Sequence, residues 1–81
     1  MKIEVLLFGG AAAAAGADRA CVDVPEPCTC AAAMAKLREM EPRLGRFVDA
    51  GRLAVDHAFA GPERVIRRGE EVALISLVSG G

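Results

Sequence analysis

Gly69-Glu70-Glu71-Val72-Ala73-Leu74-Ile75-Ser76-Leu77-Val78-Ser79-Gly80-Gly81 is the stretch from which the architecture can be worked out. A glycine turn opens it, and residues 72–78 follow as an aliphatic run that only Ser76 interrupts. Val72, Ile75 and Val78 are β-branched, and a short apolar run bounded by turn signals suits a strand buried on both faces. Residues 72–78 are therefore expected at the centre of a sheet. Beyond them stand Ser79 and two glycines, which have no Cβ and can pass through a slot too narrow for side chains. Extended at ~3.3–3.6 Å per residue, residues 78–81 reach about 13–14 Å past the sheet, enough to carry a carboxylate into another protein's active site. They are expected to form a flexible tail. Glycine-rich chain ends are common, but this pair follows a strand after one intervening residue and has no linker composition around it.

Outward from that stretch, the composition sets limits. At 81 residues the chain is expected to be one domain, 1–81, that buries about 60–65% of its unfolded surface. Three Phe and no Trp or Tyr leave a core made of Val, Leu, Ile, Ala and Met. A net charge of −1, with both signs mixed along the chain, offers no footprint for nucleic acid. No stretch has signal-peptide or membrane-spanning character, so a cytoplasmic protein without a membrane partner is expected. Cys21, Cys28 and Cys30 are odd in number and are read as reduced thiols rather than as a secreted disulfide framework. Cys28-Thr29-Cys30 has half the donors of a metal site, but the single His57 and the third cysteine stand at no zinc spacing, so no metal is expected.

The periodicity predicts the remaining elements. Residues 2–8 alternate and then become continuously apolar, as a strand running into the core would. Gly9-Gly10 breaks it, and residues 11–15 form a short alanine helix that ends at Gly16. A strand over 19–24 stops at Pro25 and Pro27. Thr29 is an N-cap for a helix over 30–41 that Pro42 closes, with Met34, Leu37 and Met40 or Glu41 on its apolar face. Residues 43–51 read as irregular, with Leu44, Phe47 and Val48 as plugs under the sheet. Residues 53–59 read as a third strand and 64–66 as a short one, and the turn at 67–70 leads into the last. One amphipathic helix must cover one face of the sheet, and the long connection makes the first and last strands parallel neighbours in the middle. This is an α+β fold of the β-grasp, ubiquitin-like kind, a mixed sheet of four to five strands packed on one main helix.

Arg68-Gly69-Glu70-Glu71-Val72-Ala73-Leu74-Ile75 and Val78-Ser79-Gly80-Gly81 resemble the C-terminus of the ubiquitin-like sulfur carriers, most closely the small subunits of molybdopterin synthase. Phe8-Gly9-Gly10 through Gly16 corresponds to the short helix that this family carries after its first strand. The chain departs at Ser76-Leu77, where members commonly have two prolines, which would remove two N–H groups and stiffen the exit of the strand. Near the third strand the family often reads Ala-Val-Asn followed by a turn, and Asp56-His57 stands there instead.

The resemblance implies that a ubiquitin-activating-like adenylyltransferase consumes ATP to form an acyl-adenylate at Gly81. A sulfur donor protein then converts it to a thiocarboxylate, and the tail gives that sulfur to a cyclic pterin phosphate inside the large subunit of molybdopterin synthase. On this reading Gly81 is the reacting group and Gly80 gives clearance. Ser79, Val78, Leu77 and Phe8 contact the partner, with Phe8, Leu77 and Val78 in an exposed apolar patch. No cofactor is bound by the chain. The alternatives are a carrier for thiazole or another small molecule, a ubiquitin-like protein modifier, or a plain interaction module. No nucleophile and base, paired carboxylates or phosphate-binding loop stand out, and His57 is not expected to be catalytic, so the chain alone is not expected to be an enzyme.

Overall fold

The computed structural model describes residues 1–76. Five strands form one sheet: β1 (Lys2–Leu6), β2 (Arg19–Asp23), β4 (Gly51–Val55), β5 (Ala58–Phe59) and β7 (Val72–Ser76), in the order β2-β1-β7-β4-β5. β1 and β7 run parallel, with Val5 opposite Val72 and Leu6 opposite Ala73, and the other neighbours are antiparallel. The last strand is the centre of the sheet, as its aliphatic run implies. β3 (Cys28–Thr29) and β6 (Val65–Ile66) make a separate two-stranded ribbon.

Helix α2 (Cys30–Met40) covers one face of the sheet. Its start follows the sequence: the Thr29 hydroxyl accepts a hydrogen bond from the Ala32 N–H at 3.2 Å, satisfying one of the first-turn donors that have no partner within the helix. Cys30, Ala33 and Leu37 form its buried face. Met40, expected on that face, is instead exposed. The chain turns away at Glu41-Pro42, and the fully buried Leu44 joins the core in its place. The helix α1 (Gly9–Ala15) begins earlier than its alanines and ends at Gly16, whose φ of +71° lets its N–H bond back to Ala12 and Ala13.

Three further expectations are corrected. Residues 43–51 are not irregular: a 3₁₀ turn at Pro42–Leu44 passes into α3 (Gly45–Asp49), which buries Phe47 and Val48. An ion pair from Arg38 of α2 to Asp49 ties the two helices. Residues 53–59 are not one strand, because Asp56 and His57 take φ of +50° and +68° and fold the run into the β4–β5 hairpin. Two successive positive φ values make a tight turn whose twist matches that of the strands. Finally, β7 is buried on both faces only over its first half: Val72 and Leu74 point into the core and Ala73 on the other side is also buried, whereas Ile75 and Ser76 are half-buried.

Candidate functional site

The open face of the sheet, away from α2, is the candidate site. Strand alternation puts Val5, Leu53, Val55, Val72 and Leu74 into the core and leaves Leu6, Ala54, Ala73 and Ile75 on the outer surface. Ala54 pairs with Ala73 and Ala73 with Leu6, so the middle of the outer face is a floor of small and aliphatic side chains. Two aromatic rings stand beside it. Phe8, in extended conformation at the start of α1, is 55% exposed because Leu7 before it takes the core position. Phe59, opposite Ala54 across the hairpin, is 61% exposed. Exposed Phe residues on both sides of an apolar strip are what an interaction surface shows and a solvated one does not.

Phe8, Ala54, Phe59, Ala73 and Ile75 line a hollow of about 320 Å³, closed at one end by His57 and Glu71. A second, of about 260 Å³, lies between Phe8, Gly9, Gly10, Phe47 and the end of β7 at Ile75 and Ser76. The hairpin that carries Phe59 is fixed to β7. The Asp56 N–H donates to the Glu71 carbonyl and the Glu71 N–H donates to the Asp56 carboxylate, both at 2.8 Å. His57 Nε2 lies 3.3 Å from the Glu71 carboxylate. Arg52 stacks over the Phe59 ring, 5.8 Å from its centroid.

The turn before β7 is also held. Arg64 forms two bonds to the Glu70 carboxylate, at 2.8 and 3.1 Å, and the Arg67 N–H donates a third at 2.6 Å. These bonds hold the Glu70 pKa down to about 2, the Arg64 side chain contributing most. The cysteines lie elsewhere. Cys28 and Cys30 are buried, and burial pushes both thiols up, away from the reactive thiolate. Cys21 is exposed on β2.

Of the residues expected to act, Phe8 is placed on the open face. Leu77, Val78, Ser79, Gly80 and Gly81 lie outside the described residues, and β7 leads to them from the middle of that face. Phe59 and Arg52 were not among the expected site residues. The available signal was Asp56-His57: a two-residue turn there puts Phe59 opposite Ala54, on the outer side.

A mixed sheet with parallel first and last strands, one covering helix and an open apolar face beside the final strand defines a β-grasp protein of the ubiquitin-like kind. The ThiS family model matches residues 5–81, and the chain belongs to that family of ubiquitin-like sulfur carriers. No curated protein matches the chain. Among solved structures, it is similar to SAMP1 from Haloferax volcanii, with 28% identity, full coverage of both chains and a TM-score of 0.83. A Pyrococcus furiosus protein described as molybdopterin converting factor, subunit 1, shares 17% identity over 96% of this chain and 99% of its own, with a TM-score of 0.82. A chain of the complex of subunits 1 and 2 of molybdopterin-converting factor from Helicobacter pylori shares 18% identity, with full coverage and a TM-score of 0.69. At these lower identities the last two show the fold.

Proposed function

We propose that the protein is the sulfur-carrying small subunit of a molybdopterin synthase. The observation that supports this most is the family match running through Gly80-Gly81, on a chain whose central strand leads to those residues from an open apolar face. Free carboxylates do not acylate sulfur. A Gly81 carboxylate oxygen attacks the α-phosphorus of ATP in the active site of an adenylating partner, pyrophosphate leaves, and the acyl-adenylate carries a good leaving group. A sulfide equivalent from a sulfur donor protein then adds at the carbonyl carbon and expels AMP, leaving the thiocarboxylate. This chain supplies the acyl group and the docking face, and the partners supply the catalytic residues. In the large subunit the tail gives its sulfur to the pterin as the dithiolene is built. The Helicobacter pylori complex of subunits 1 and 2 supports a partner of that kind.

A second reading is favoured by one observation: the most similar of the three structures above in sequence, at 28%, is also known as small archaeal modifier protein 1. A modifier shares the adenylation step and then forms an amide with a lysine of a target. The test is the intact mass of the protein, with its native C-terminus, before and after incubation with the adenylating enzyme of the same organism, ATP and sulfide. Exchange of one oxygen for sulfur at Gly81 is expected. No change, with an enzyme active on another substrate, overturns the carrier reading, and amide-linked conjugates in cells without thiocarboxylate would select the modifier.

A further inference from the structure

We propose that the protein forms a symmetric dimer in which the edge strand β2 pairs antiparallel with β2 of a second copy, joining two five-stranded sheets into one. The interface lies on the far side of β1 from β7, so the inference is independent of the carrier reading and of whatever covers the outer face.

The ladder fixes which backbone groups are free. The Val24 N–H donates to the Met1 carbonyl and the Leu7 N–H to the Asp18 carbonyl, both at 2.8 Å. Antiparallel strands alternate between residue pairs that exchange hydrogen bonds and pairs that do not. With Ile3 opposite Val22 and Val5 opposite Ala20, the β2 residues bonded to β1 are therefore Val22 and Ala20. The N–H and C=O groups of Arg19, Cys21 and Asp23 point away from the sheet, and among the described residues they have no hydrogen-bond partner. The opposite edge strand, β5, is two residues long, whereas β2 offers five. An open edge of that length is a template for another strand.

The residues of the edge select a second copy as that strand. Arg19-Ala20-Cys21-Val22-Asp23 is complementary to itself in reverse. About a two-fold axis at Cys21, Arg19 of each chain faces Asp23 of the other, and Ala20 faces Val22. All three outward-facing residues then fall in pairs that exchange two hydrogen bonds each, and a shift toward the C-terminus would call on Pro25, which has no N–H. Arg19, Cys21 and Asp23 are exposed, on the side of the sheet that bears Lys2 and Glu4. Arg19 already touches Glu4 at 3.0 Å and Asp18 at 3.5 Å, whereas among the described residues Asp23 has no ion pair. Lys2 stands opposite Asp23 on β1, so in the dimer each Asp23 lies between two cations. Opposite charges facing across a ladder stabilise it.

On the helix side a hollow of about 220 Å³ runs beside the edge, lined by Ala20, Val22, Leu37 and the half-exposed Met40 among others. A strand added to β2 lies along this hollow and takes apolar surface out of water. One strand pair buries less than a standard interface, so the dimer is a weak one that forms as concentration rises.

Sedimentation velocity of the reduced chain at rising concentration tests the pairing, with thermal melts to check that each variant is folded. The mass of the wild type is expected to move from one chain toward two. Asp23→Arg sets like charges opposite each other at both ends of the pairing and is expected to raise the dissociation constant roughly tenfold. The double exchange of Arg19→Asp with Asp23→Arg is expected to bring it back toward the wild-type value. Cys21→Pro, which a free edge tolerates but which lacks the central N–H, is expected to abolish the dimer. With diamide as oxidant, two Cys21 thiols lose two electrons and two protons to the reagent and form one disulfide. Their Cα atoms, about 5.5 Å apart in such a pair, are within its span, and the cross-link is expected to form roughly tenfold more slowly in Asp23→Arg.

A wild type that stays monomeric at every concentration overturns the proposal, as does a dimer that Asp23→Arg and Cys21→Pro leave unchanged. A dimer lost instead in Phe59→Ser belongs to the outer face. Amides of Arg19, Cys21 and Asp23 protected from hydrogen exchange only when the adenylating enzyme is added give the edge to that enzyme, and either of these results overturns the proposal too. None of them bears on adenylation of Gly81, which the mass measurement above decides separately.

Discussion

The two faces of the five-stranded sheet are built from alternate residues of the same strands, and they have been filled by opposite rules. On the inner face Val5, Leu53, Val55, Val72 and Leu74 meet Leu37 of α2 and Leu44 behind it, all at 1% exposure or less. On the outer face the β7 row is Ala73 and Ile75, the flanking row has Ala54, and the large apolar groups, Phe8 and Phe59, stand at the margins with more than half their surface in water. Bulk in the first case is spent on cohesion. In the second it is kept at the rim, around a hollow that a partner's side chains can enter. A single strand thus serves stability through Val72 and Leu74 and, on the proposed function, offers Ala73 and Ile75 to a partner.

The sharpest way to break this contrast is to remove volume from the inner face. Leu37→Ala is expected to lose about 2–5 kcal/mol, because the cavity it leaves is walled on every side. Urea denaturation measures the loss, and a value under 1 kcal/mol would show that α2 can collapse onto the sheet. Gly51→Ala comes next. A Cβ there would lie 2.6 Å from the Phe47 carbonyl oxygen and 2.7 Å from that of Ile75, and both are backbone atoms that cannot swing aside. The expected cost is about 1–3 kcal/mol of strain, read from the shift of the same transition. Phe59→Ser on the outer face should change stability by less than about 0.5 kcal/mol, as exposed positions usually do, while raising the concentration of chain needed for adenylation. Destabilisation equal to that of Leu37→Ala would mean that Phe59 belongs to the core.

The smallest effect concerns pH. Glu70 has its folded pKa depressed to about 2 by Arg64 and the Arg67 N–H. A depressed carboxylate contributes stability that is present above its unfolded pKa of about 4.5 and is lost as pH falls through the folded value near 2. Unfolding midpoints followed from pH 6 downward should therefore decline more steeply in the wild type than in Glu70→Gln. Parallel curves would show that the Arg64 pair holds the turn no better than solvent does.

The elements that could be read from the sequence are those whose signal is local. The aliphatic run of β7, its parallel neighbour β1, the Thr29 cap and the glycine stop of α1 each depend on a few adjacent residues. The hairpin at Asp56-His57 was missed because neither residue is the glycine that usually supplies positive φ, and Ala58-Phe59 continues an apolar run without a break. The β3–β6 ribbon joins two-residue segments 36 positions apart, and nothing local announces such a pairing. Burial of β7 on both faces was expected from its composition alone, yet an apolar residue covered by the protein's own core and one reserved for a partner look the same in sequence. That ambiguity hid Phe59 and Arg52, which the register alone brings together with Phe8 and Ile75.

The position of β7 between β1 and β4 also has a consequence for synthesis. While residues 72–76 are still within the ribosome, the five-stranded sheet can exist only as two separate hairpin halves, β1 with β2 and β4 with β5, and the strand that joins them is absent. The nascent chain therefore cannot close its sheet before that stretch emerges, and its non-local pairing makes closure one of the late steps of folding. The outer face does not exist until then. Any enzyme that recognises the face will act only on chains that have finished folding, so the order of the strands is itself a quality check on what becomes activated.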